Sequence, residues 1–97
     1  MVTVHREWMA RDGLLGDAIE NAKKYREKFD PTSTWRIYTP NSGKFYKIII
    51  KEDYESLADA EEAWAKREAN QEFWTWHEEW SRVAVDSSLV FSYFNQH

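Results

Sequence analysis

Lys44-Phe45-Tyr46-Lys47-Ile48-Ile49-Ile50-Lys51 is the stretch on which the fold turns. Aromatic and β-branched residues fill it, so it reads as a strand, the strongest in the chain. Side chains alternate along a strand. Tyr46, Ile48 and Ile50 fall on one side; Phe45 and Ile49 fall on the other, with Lys47 between them. A sheet with one solvated face alternates apolar and polar cleanly. This strand is apolar in both directions, and one layer of helices shelters only one of them.

Upstream, Thr34-Trp35-Arg36-Ile37-Tyr38-Thr39 is a second strand, and Pro40-Asn41-Ser42-Gly43 is the turn that makes the two a hairpin. Before it, Leu15, Ala18, Ile19, Ala22, Tyr25 and Phe29 recur at steps of three and four, which predicts an amphipathic helix over 14–29. Asp30-Pro31 ends it, because the residue before proline is pushed out of the helical region. The first strand is 2–9, followed by Arg11-Asp12-Gly13, with Asp12 as a candidate cap.

Downstream, Ser56 starts a helical region with faces that do not line up. Leu57, Ala60 and Trp64 mark one; Phe73, Trp76, Trp80 and Val83 mark another. At about 100° per residue, Trp64 and Phe73 lie on opposite sides of a straight helix. A break is therefore predicted at Asn70, a good N-cap, giving helices over 57–69 and 71–85. Residues 89–94 form the last strand, with Leu89, Phe91 and Tyr93 against Val90, Ser92 and Phe94.

The order predicts one α+β domain over 1–97: a ferredoxin-like β-α-β-β-α-β antiparallel sheet with helices on one face, each βαβ half joining parallel neighbours by a right-handed crossover. The two apolar strands imply that the face without helices meets a second copy, making a homodimer and a dimeric α/β barrel.

Composition narrows the function classes. The 97 residues leave no room for a second domain, and the 16% aromatic share predicts a small core built from large rings. A net charge of −4 argues against a nucleic-acid partner. No apolar stretch approaches bilayer length, so no membrane association is expected. With 0 Cys there is no disulfide framework and no thiolate ligand or nucleophile, which is compatible with a cytoplasmic protein.

The segment Val4-His5-Arg6-Glu7-Trp8-Met9-Ala10-Arg11-Asp12-Gly13 resembles the opening strand of NIPSNAP-like domains, which show an Arg, an aromatic two residues later and a Gly where the helix begins. Arg6, Trp8 and Gly13 occupy those places. Ala69-Asn70-Gln71-Glu72-Phe73 resembles the start of that family's last helix, with Asn70 for Asp, Gln71 for Pro and Phe73 for Trp. The resemblance implies the dimeric α+β barrel group and a binding or structural module with no settled enzymatic activity. A second group with that fold contains small cofactor-independent monooxygenases and haem-degrading enzymes. The haem-degrading members carry an Asn on the first strand, where this chain has His5 or Arg6.

Six residues stand out as a candidate cleft: His5, Arg6, Glu7, Lys47, Trp74 and His77. His5 and Glu7 share a strand face; with His77 they are three possible N/O metal donors, but they follow no ligand motif, so no metal and no cofactor is expected. His77, within an aromatic run, is a candidate general base. Lys47 is placed to meet Glu7 or an acidic ligand. Trp74 lies off the Phe73-Trp76-Trp80 face and is left for an interface or cleft. Two functions follow: a dimeric binding module, or a small oxygenase or isomerase acting on an apolar or aromatic molecule between sheet and helices.

Overall fold

The computed structural model describes residues 1–29, 35–41 and 46–97. The Asp30-Pro31 stop, Thr34, the turn residues Ser42-Gly43, and Lys44 and Phe45 lie outside them. The described elements are β1 (Val2–Ala10), α1 (Leu15–Phe29), β2 (Arg36–Tyr38), β3 (Lys47–Tyr54), α2 (Leu57–Glu68), α3 (Gln71–Val83) and β4 (Ala84–Asn95).

In place of an Asp12 cap, the backbone closes the β1–α1 turn itself, the Leu14 N–H donating to the Arg11 carbonyl at 2.9 Å. Gly13 sits there at φ +76°, a left-handed conformation that costs an L side chain about 1–2 kcal/mol. The break between α2 and α3 falls as the two mismatched faces require. Ser56 Oγ caps α2 by accepting the Asp59 N–H, and Asn70 Oδ1 caps α3 by accepting the Glu72 N–H. The change of axis brings Trp64 and Phe73 together, with ring centroids 5.7 Å apart.

The sheet has the order β2-β3-β1-β4, and every neighbouring pair is antiparallel. This corrects the expected parallel neighbours. β1 and β2 do run the same way, but β3 lies between them, since each of the two pairs with it in the antiparallel sense. The architecture also corrects the expected fold. The sheet is open, with β2 and β4 as its terminal strands rather than a closed barrel, while the three expected helices are all present.

Even-numbered residues of β1 and β3 face the helices. Val4 is buried on that side, and Ile48 and Ile50 are buried there with Ala18, Ala22 and Tyr25 of α1 and Phe73 and Trp80 of α3. The other face is not uniformly apolar. His5 and Lys47 both bond Glu7, at 2.9 Å each, and Asp53 accepts from Thr3 at 2.8 Å and from both terminal nitrogens of Arg36. Tyr46 precedes β3 and is exposed instead of facing the helices. The apolar surplus gathers on β4, where Leu89, Val90, Phe91, Tyr93 and Phe94 are each at least 40% exposed.

β4 begins five residues before the expected 89, because its pairing with β1 extends to Ala10↔Ala84. It follows α3 with no residue between them, and the Arg11 N–H holds the junction by donating to the Val83 carbonyl at 2.8 Å. No helix among the described residues is long and apolar enough to cross a membrane.

Candidate functional site

A cleft of about 340 Å³ lies between the helix-facing side of the sheet and the helices. That volume is in the range of small-molecule sites. Trp8, Tyr25, Trp35, Trp64, Phe73, Trp76, Trp80, Leu89 and Phe91 supply its apolar walls. The rings brace one another: Trp76 stacks on Trp80 at 5.4 Å, Trp80 meets Trp8 edge-on at 5.1 Å, and Tyr25 lies 4.4 Å from Trp76. Trp76 is further fixed by its Nε1–H, which donates to the Asn21 carbonyl of α1 at 3.1 Å. Large rings held at both ends have few rotamers to collapse into the gap.

One side of the cleft is shaped by an irregularity in β4. Glu7 pairs with Val90 and Met9 with Val85, so a two-residue step on β1 faces a five-residue step on β4. The surplus residues bulge away from the ladder. Ser88 stabilises the bulge, its Oγ accepting the Met9 N–H at 2.8 Å and donating to the Val85 carbonyl at 2.5 Å. The bulge carries Asp86 and Leu89 to the cleft, and Asp86 Oδ1 comes 3.7 Å from His77 Nε2. Bulges of this kind re-aim side chains beside functional sites.

The back of the cleft is charged. Arg6 (6% exposed) projects from β1 between the rings of Trp64 and Phe91, its guanidinium 5.4 Å from each centroid. It donates to Glu52, which is 1% exposed on β3. Glu52 also accepts both terminal nitrogens of Arg67, at 3.0 and 2.7 Å, and the Tyr54 hydroxyl. Burial pushes the Glu52 carboxyl up, but the Arg67 hydrogen bonds and the charges of Arg6 and Arg67 outweigh it and bring it down to about 2. Burial and the neighbouring carboxylate both push the Tyr54 hydroxyl up, so it stays a neutral donor.

The six candidate residues separate into three places. Arg6 and His77 line the cleft. His5, Glu7 and Lys47 lie across the sheet on the face without helices, since neighbours in a strand point opposite ways. There Lys47 does meet Glu7, whose carboxyl is held below its ordinary value by the bonds from His5 and then Lys47. Trp74 is in neither place: its ring packs edge-on against Phe73 and its Nε1–H caps α2 by donating to the Glu68 carbonyl at 2.8 Å. The sheet thus separates His77 from His5 and Glu7, so the three do not form one donor set, and no three His, Asp or Glu side chains converge among the described residues.

Sequence reading missed Glu52, Arg67, Asp86 and Leu89. Glu52 had a signal: it continues the Ile48, Ile50 alternation, which places a carboxylate on the buried face and demands a cation. Arg67 is three residues after Trp64 on the inward side of α2. Asp86 and Leu89 reach the cleft through the bulge, for which the sequence carries no comparable signal.

The fold, an open four-stranded antiparallel sheet under three helices, matches that of NIPSNAP-domain structures, and the match extends across several of them. An uncharacterised NIPSNAP domain protein from Burkholderia xenovorans is 10% identical with a TM-score of 0.81, the match covering 100% of this chain and 95% of that one. A NIPSNAP family protein from Agrobacterium tumefaciens str. C58 is 14% identical with a TM-score of 0.83, over 99% of this chain and 92% of that one. A putative antibiotic biosynthesis monooxygenase from Nitrosomonas europaea is more distant, at 12% identity and a TM-score of 0.68 over 99% and 98%. At these identities the likeness is one of fold. No family model matches the sequence, and no curated protein matches it.

Proposed function

We propose that this chain is a NIPSNAP-like binding domain that takes an apolar, aromatic small molecule in the cleft between sheet and helices. The cleft itself carries this reading. A module built only for packing would fill that space with its tryptophans; here they stand around a gap of about 340 Å³. The natural test is a titration with the neutral two-ring aromatic 2-naphthol, followed by ¹H–¹⁵N spectra. The indole N–H resonances of Trp8, Trp35, Trp76 and Trp80 should move saturably, while that of Trp74, outside the cleft, serves as the internal reference. Saturation at Trp74 alone, or at no indole, refutes the reading.

The working unit is a homodimer. β4 supports this: it is a terminal strand with apolar side chains on both faces, and long apolar edges are ordinarily covered. Light scattering at micromolar protein should give twice the chain mass, and Phe94→Asp should return it to that of one chain. A wild-type monomer refutes the assembly.

A second reading is favoured by His77 and Asp86 at the cleft and by the fold shared with the putative monooxygenases. In it His77 takes a proton from an activated CH₂ of the bound aromatic. The substrate and O₂ then give a carbonyl and water, one oxygen atom entering each product, with the electrons drawn from the substrate. An oxygen electrode checks it with anthrone: uptake should be protein-dependent and abolished by His77→Gln. Uptake unchanged by that substitution removes His77 from the chemistry.

A further inference from the structure

We infer that Ser88 is a positioning residue for the cleft: its hydroxyl clips the β4 bulge to β1 and so holds Asp86 and Leu89 where a bound molecule meets them. This rests on the reading of the cleft as a ligand site and names the side chain that sets its β4 wall. The last regular rung before the bulge is Met9↔Val85. Ser88 reaches back to both ends of that rung. Its Oγ accepts the Met9 N–H at 2.8 Å and donates to the Val85 carbonyl at 2.5 Å. A hydroxyl is donor and acceptor at once, so one side chain ties the far part of the bulge to its near end and to the neighbouring strand. The two bulge residues that line the cleft each adjoin a tied point: Asp86 follows Val85, and Leu89 follows Ser88. Fixing Val85 and Ser88 therefore fixes the places from which Asp86 and Leu89 reach the cleft.

The surroundings leave this task to β4. On its other side β1 pairs with β3 in unbroken register from Val2↔Tyr54 to Met9↔Lys47, so β1 is held in place alongside the bulge. β4 is a terminal strand, and among the described residues no strand lies beyond it. The irregularity is thus taken up in β4. Asp86 does approach His77 of α3, but at 3.7 Å, with side chains 52% and 37% exposed, that pair is too long for a hydrogen bond and too wet to hold the bulge. The Ser88 bonds are shorter and half-buried, and they close the segment 85–88 as a side-chain version of a turn. Leu89 and Phe91 are the β4 share of the apolar wall. Phe91 is back in register, opposite Arg6, whereas Leu89 is inside the bulge. Leu89 is therefore the wall residue whose place depends on Ser88.

The test compares Ser88→Ala, Ser88→Thr and, as a control on the same bulge, Ser87→Ala, each in the intact protein. Without ligand, Ser88→Ala should move the Leu89 methyl and His77 ring resonances in ¹H–¹³C spectra and speed Met9 amide exchange at least about tenfold, since local opening becomes easier. Ser88→Thr keeps a hydroxyl and should return both to wild-type values; Ser87→Ala should leave them there. With 2-naphthol, calorimetry should show Ser88→Ala binding at least about fivefold more weakly, the scale of one altered wall contact. Ser88→Thr should stay within about twofold of the wild type, because its bonds are kept. Unmoved Leu89 and His77 resonances in Ser88→Ala overturn the positioning role. Moved resonances with unchanged 2-naphthol affinity confine Ser88 to stability and overturn it too. A wild type that binds no 2-naphthol overturns the cleft reading, and that failure is seen before any variant is made. Ser88→Cys, which keeps the size with a weak donor, carries the same comparison if the alanine variant does not fold.

Discussion

Glu52→Gln is the substitution that weighs the buried charge cluster. The carboxyl falls from an ordinary 4.5 to about 2 in the folded chain, a drop of about 2.5, and at 1.36 kcal/mol for each tenfold change this is about 3 kcal/mol of stability. Removing one partner of a buried ion pair costs about 3–5 kcal/mol by a separate line of evidence, so the two figures agree. For a chain of this length each kcal/mol moves Tm by about 4–8 °C, giving a fall of about 12–24 °C at pH 7. The sign of the pH dependence follows from the lowered value: the contribution is complete above about 4.5 and is lost as pH falls through 2. Urea unfolding of both proteins, followed by tryptophan emission, should therefore show a gap of about 3 kcal/mol at pH 7 shrinking to about 1 kcal/mol at pH 2.5. Taking the difference cancels the other carboxylates. A gap under 1 kcal/mol at neutral pH, or one that does not change with acid, refutes the account of the cluster.

Three further outcomes are expected. Asn70→Ala removes the α3 cap and should lower stability by about 1 kcal/mol, read as a shift in the urea midpoint without a change in slope. Trp74→Phe keeps the edge contact with Phe73 but loses the bond to the Glu68 carbonyl; it should cost about 1 kcal/mol and leave 2-naphthol affinity unchanged, as calorimetry would check. Gly13→Ala should cost about 1–2 kcal/mol by thermal melting although a Cβ there meets nothing within 4 Å, because the penalty comes from φ rather than from space.

Much of the scaffold was legible in the residues, and the reasons are local. The out-of-phase faces of Trp64 and Phe73 located the α2–α3 break, and Asn70 gave its cap, because helix periodicity and capping are written within a few residues. The alternation in β4 also held: Phe91 and Tyr93 pair with Arg6 and Val4 on the helix side, while Val90 and Phe94 pair with Glu7 and Thr3 on the other. The open face is more polar than its apolar strand residues suggest, because Lys47 meets Glu7 across the strands, as its place in the sequence allowed, and Glu7 is bonded in turn by His5. Register also decides which side of the sheet a β1 residue serves. Arg6 and His5 are adjacent in sequence yet end on opposite faces, one in the cleft and one outside it. Glu52 was hidden for a simpler reason: β3 runs on to Tyr54, beyond the apolar run that announced it.

The direct join of α3 to β4 has a mechanical consequence. With no residue between Val83 and Ala84, and with the Arg11 N–H on the Val83 carbonyl, a lever motion of α3 and β4 would have its fulcrum at that peptide. Trp76, His77 and Trp80 ride on one arm, and the apolar stretch from Leu89 to Phe94 rides on the other. A turn of the helix that widened the gap for an incoming molecule would therefore reach the strand edge. On the proposed reading, filling the interior and gripping a neighbour would then be two readouts of one displacement.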